Sequence, residues 1–106
     1  ANVHATNKQG QTPLHLSAYA GDVDVIQILV AWGAHVNVTD NEGETPLHWS
    51  AENGHVELSQ MLLGWGAHVN AADNEGRTPL HLSSGPELAF NRHVEVSQML
   101  VGAGAN

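Results

Sequence analysis

The chain has 106 residues, 42% of them hydrophobic, with three Lys+Arg against eleven Asp+Glu, a net charge of −8 with His neutral, and no Cys. That length fits one domain with a modest core, and the lack of Cys rules out disulfides and thiolate metal sites. So acidic a surface repels phosphate backbones and anionic lipid, which argues against nucleic acid and membrane and for a protein partner with a basic or mixed surface.

The sequence opens on Ala1-Asn2-Val3-His4, which reads as the end of a unit. Thr12 then serves as an N-cap with Pro13 at the first helical position. This first helix runs to Gly21, a residue suited to a left-handed C-cap. A second helix follows, its broad apolar face made by Val25, Ile26, Ile28, Leu29 and Val30, and it ends at Gly33. The polar stretch from Asn37 to Gly43 turns the chain back. Thr45-Pro46 starts the same cycle again, with its first helix ending at Gly54 and its second at Gly66. Thr78-Pro79 starts it a third time. There Gly85-Pro86 should stop the first helix early, because proline cannot continue one and restrains the residue before it.

The cycle is a strict repeat. Thr-Pro-Leu-His stands at 12–15, 45–48 and 78–81, a period of 33, and residues 33–50 and 66–83 agree at fourteen of eighteen positions. Gly-Ala recurs at 33–34, 66–67 and 104–105. The expected organisation is residues 1–6 as the end of a preceding unit, then repeats at 7–39, 40–72 and 73–106. No helix here could bury its apolar face alone, so each unit needs its neighbour as a wall.

These residues resemble the ankyrin-repeat family. The marks are Asp40, Gly43-x-Thr45-Pro46-Leu47-His48, Gly54-His55-x-Glu57, and Leu62-Leu63-x-x-Gly66-Ala67-x-Val69-Asn70. The resemblance covers essentially the whole chain and implies an all-α repeat solenoid. In it, paired helices carry projecting β-hairpin loops and form a curved stack with a concave binding face. Two departures stand out. Ser59 and Ser97 replace the apolar residue that Ile26 supplies in the first repeat, which should reduce apolar burial by about 1–2 kcal/mol each. The third repeat also carries five extra residues within 85–92: eleven residues separate His81 from His93, where six separate His48 from His55. The insertion loop Pro86, Leu88 and Phe90 is expected to protrude at the edge of the stack, with Phe90 partly covered.

Eight His residues raise the question of a metal site. The resemblance gives His15, His48 and His81 a structural role, bonding the neighbouring hairpin loop. His35 and His68 lie one repeat apart, roughly 10 Å in a helical stack, too far to share one zinc ion. His55-x-Glu57 and His93-x-Glu95 lack the Cys-x-x-Cys partner of a zinc deaminase. No nucleophile elbow, phosphate-cradling loop or zincin motif is present, so neither enzyme activity nor any cofactor is expected. Asn37-Val38-Thr39 is formally a glycosylation sequon, read as coincidence in a chain without a signal-peptide pattern. Asn37 and Asn70 also match, through the resemblance, a position modified by an asparaginyl hydroxylase, each with Val before it and Leu eight residues upstream. The same Asn is first of all a structural hydrogen-bonding residue. No apolar run approaches the roughly 20 residues of a membrane span, and a soluble, cytoplasmic protein is expected, the nucleus remaining open.

The family's geometry places partners against the hairpin tips and the exposed side of the first helices. That selects Tyr19, Glu42, Glu44, Trp49, Glu52, Asn53, Glu75 and Arg77 as partner-binding residues. Trp49 has two readings, an interface anchor or packing between repeats. Trp32 and Trp65 are expected to pack along the back as a ridge. Two functions follow: a module binding a partner protein through the concave face and hairpin tips, or a structural element stacking head to tail on its own copies. In the second case bare faces are expected at Leu14, Ala18, Val25, Ile28 and Leu29, and at the last helix.

Overall fold

A computed structural model describes residues 5–82 and 98–104. The insertion loop residues Pro86, Leu88 and Phe90, and Ser97, lie outside the described residues. The described residues include the helices α1 (Pro13–Ala20), α2 (Val23–Ala31), α3 (Pro46–Glu52), α4 (Val56–Gly64) and α5 (Pro79–Leu82). Residues 98–102 are helical as well. The molecule is an all-α repeat solenoid. α1 packs on α2 within its unit and on α3 of the next, and α3 packs on α4 and then on α5.

The Thr-Pro-Leu-His motif explains why each first helix starts where it does. Thr12 and Thr45 are N-caps followed by Pro, and each closes a capping box with the His three residues on. The hydroxyl accepts from the His backbone N–H at 3.4 Å in both units. The Thr12 and Thr45 N–H groups in turn donate to His15 and His48 Nδ1, at 3.1 and 3.0 Å. With Nδ1 accepting, the neutral ring carries its proton on Nε2. His15 Nε2–H donates to the Glu44 carbonyl and His48 Nε2–H to the Arg77 carbonyl, both at 2.8 Å. One imidazole therefore starts its own helix and fastens the next unit's loop. Burial lowers both His pKa values, which keeps the rings neutral.

The second helices start by two different devices. Asp22 Oδ1 caps α2 by accepting from Val25 N–H. The matching His55 makes no side-chain cap for α4; its Nε2 instead bonds the Tyr19 carbonyl at 3.0 Å, across the repeat boundary. Gly21 permits that approach. Its φ is +73°, and a Cβ there would stand 2.7 Å from the His55 ring.

Leu14, Ala18, Ile26, Leu29, Leu47, Ala51, Leu58, Leu62 and Leu100 form the continuous core. Ser59 sits fully buried at the position of Ile26. Its hydroxyl is hydrogen bonded to that of Ser50, which also reaches the His55 carbonyl, so the expected loss of apolar burial is offset by a satisfied polar pair.

The loops have the shape of hairpins, but no strand forms among the described residues. Each is closed by an acid or amide: Asp40 Oδ1 accepts from Glu42 and Glu44 N–H, Asp73 Oδ1 from Glu75 and Arg77 N–H, and Asn7 Oδ1 from Gln9 and Gln11 N–H. Neighbouring tips are laced together by Asn41 on Lys8 and Gln9, and by Asn74 on Asn41 and Glu42.

Candidate functional site

Leu16 and Tyr19 lie one turn apart on α1, and the repeat puts Trp49 and Glu52 at the equivalent positions on α3. The stack brings Tyr19 and Trp49 into contact, ring centroids 5.4 Å apart and planes at 75°. Together with Gln11, His15 and Leu16 they line an open cleft of about 330 Å³. Tyr19 and Leu16 are more than half exposed, at 55% and 52%, while Trp49 is half-buried. Trp49 packs against the core between repeats and also borders the cleft.

Trp49 is held from below. Its Nε1–H donates to Asp40 Oδ2 at 3.4 Å, and its backbone carbonyl accepts from the Asn53 side chain at 2.9 Å. Asn53 is the C-cap of α3 and half-buried, so it supports the tryptophan rather than presenting a free amide. A second, smaller cleft of about 180 Å³ adjoins the first, lined by Lys8, Gln9, Gln11, Asp40, Asn41, Glu42 and Trp49. Glu42, Glu52 and Glu75 are exposed.

Glu44 is not at a tip. It is only 5% exposed, and its backbone N–H helps close the loop by donating to Asp40 Oδ1. Burial, followed by the like charges of Asp40, Glu42 and Glu52, raises its pKa from 4.5 to about 7, against the pull of Arg77. The Arg77 guanidinium lies 3.8 Å away and is committed chiefly to Asp73, at 2.9 Å. Burial works to raise the Asp73 pKa, but hydrogen bonds from the Arg77 and Glu75 backbones and the Arg77 side chain hold it below the usual value. Arg77 is thus a loop fastener whose side chain is 40% exposed.

Other expectations fall into place differently. Trp32 is 63% exposed and Trp65 36%, so neither forms a packed ridge: each is the C-cap residue of its helix, where the chain leaves the stack. Asn37 is half-buried and joins two units, its Nδ2 donating to the Gly66 carbonyl and its Oδ1 accepting from His68 N–H. Asn70 repeats the first of these bonds, to the Gly104 carbonyl. Among the described residues no group of three or more His, Cys, Asp or Glu is placed to hold a metal ion, and no helix is long and apolar enough to cross a membrane.

Leu16, the floor of the cleft, was not among the expected site residues. Its period-33 relation to Trp49 was the signal that could have found it.

A family model for ankyrin repeats, three copies, matches residues 1–73 and again 32–106. No match was found among curated proteins. Ankyrin repeats are generally protein–protein interaction modules and generally not enzymes. With the family model spanning the chain and the repeat geometry in agreement, the chain belongs to the ankyrin-repeat family.

Proposed function

We propose that the chain binds a partner protein through its concave face, with Tyr19, Trp49 and Leu16 as the contact floor and Glu42, Glu52 and Glu75 as an acidic rim. The observation that carries this reading is the solvent-open aromatic corner beside acidic loop tips. Large aromatic side chains left exposed on a well-packed scaffold are the usual anchors of an interface. The net charge of −8 favours a partner with a basic or mixed surface. Glu44, being buried, has no part in the rim, and Arg77 contributes only the exposed part of its side chain.

Capture with the purified chain, followed by association kinetics, tests the proposal. Reversing Glu42 and Glu75 together should slow association and flatten its dependence on salt, and Trp49→Ala should speed dissociation. Unchanged kinetics in both variants would refute the assignment of this face.

A second reading, head-to-tail stacking, has its own supporting observation. Val25 is 41% exposed, whereas its counterpart Leu58, covered by the preceding unit, is 1% exposed. Ile28 at 49% and Val101 at 58% are likewise open, while Leu14, Ala18, Leu29 and Leu100 of the last helix are buried, contrary to the expectation that they would be bare. Further repeats or a second copy would cover these faces equally well. Light scattering of this chain over a concentration series tests the second copy: a mass that rises supports stacking, and a constant monomer mass into the millimolar range refutes it.

A further inference from the structure

We infer that the Tyr19–Trp49 corner seats a cationic side chain, a lysine or arginine, of the bound partner segment; the inference rests on the concave-face reading above and names the chemistry of its occupant. Two aromatic rings set at 75° with centroids 5.4 Å apart make two walls of a corner, and an indole face is the strongest side-chain π-surface for a cation. The indole N–H does not compete for the ligand, because it is already engaged by Asp40 Oδ2. That bond also fixes the ring's orientation and sets a carboxylate at its edge.

The charges nearby complement a cation. Asp40 touches Trp49, Glu42 lines the adjoining cleft with it, and Glu52 lies three residues along α3. The described cations of the chain do not fill the corner: Arg77 is bound to Asp73, and Lys8 lines the adjoining cleft, not this one. An anionic side chain would meet the acids. A purely aliphatic one would use Leu16 but gain nothing from the negative charge nearby. Lys8, a like charge in the adjoining cleft, should weaken a bound cation.

The test uses two short peptides that are identical except for one residue, arginine in one and its neutral isostere citrulline in the other. Each is titrated into the ¹⁵N-labelled chain. The three Trp indole N–H signals report separately, and Trp32 and Trp65, exposed but remote from the cleft, are internal controls. The arginine peptide should move the Trp49 signal selectively and bind about 3- to 10-fold more tightly than the citrulline peptide. Lys8→Ala should tighten it further. Trp49→Leu places in the second unit the residue that Leu16 and Leu82 supply in the others, and so should fold. Followed at the Leu16 methyls, it should bind both peptides equally.

Equal binding of the two peptides at Trp49 of the unaltered chain would overturn the cation seat while supporting the face as a docking surface. Shifts at Trp32 and Trp65 as large as at Trp49, or none at Trp49, would overturn the seat. The broader reading would then stand or fall on the kinetics of the Glu42/Glu75 and Trp49 variants.

Discussion

Replacing Glu44 by Gln keeps the shape of a buried side chain and removes its charge. In the folded chain the Glu44 carboxyl has a pKa of about 7 against an ordinary 4.5, so the native state holds a proton that the unfolded state has released. A folded pKa raised in this way contributes stability that is present below 4.5 and is lost as pH rises toward 7. The displacement corresponds to at most about 3 kcal/mol, and the partly open Arg77 guanidinium 3.8 Å away remains as a compensating charge, so a gain of about 1–3 kcal/mol at pH 8 is expected for Glu44→Gln. Urea unfolding at pH 4.5 and at pH 8 measures it. The variant should be more stable than the parent at pH 8 and close to it at pH 4.5. His15 and His48 act in the opposite sense: their pKa values are lowered by burial, so their contribution is present above 6.5 and is lost as pH falls through their folded values. They are unchanged by the substitution and cancel in the difference between parent and variant. A loss of stability at pH 8 in Glu44→Gln would refute the argument and make the Arg77 ion pair the dominant interaction of this carboxylate.

The remaining predictions concern the fastenings between units. Gly21→Ala should cost about 1–3 kcal/mol by thermal unfolding, since it forces a side chain onto φ +73° and into the His55 ring that bonds Tyr19. Ser59→Ala should cost about 1 kcal/mol in urea unfolding, because the Ser50 hydroxyl keeps only its longer bond to the His55 carbonyl. His48→Ala should cost about 2 kcal/mol or more, as one ring supplies both the return bond of a capping box and the tie to Arg77; native-state hydrogen exchange should show the loss first at the third unit.

The starts of the first helices were legible because Thr and Pro act locally: a cap and a fixed φ need no knowledge of tertiary structure. The link from each His to the next loop was legible only through family resemblance, since the acceptor lies 29 residues away. Glu44 could not be placed from sequence. A carboxylate next to a loop tip reads as solvated, and its counterpart Arg77, with the same backbone bond, is indeed partly open. Trp32 and Trp65 misled in the opposite direction, because a large apolar residue at the end of an apolar helix looks like core. They occupy C-cap positions, one residue past the end of each helix. The cleft was half legible: Tyr19 and Trp49 stood out as aromatics, but their contact is a property of the distance between units, which no single repeat encodes.

The most direct test of the concave-face assignment is cross-saturation between this chain and its captured partner, read at side-chain methyls and aromatic protons. The account predicts strong transfer at Leu16, Tyr19 and Trp49, and little at Val25, Ile28 and Trp32, which are comparably exposed on α2 and at its end. The reverse pattern, with the partner seated on the α2 face and the Tyr19–Trp49 corner untouched, would contradict it.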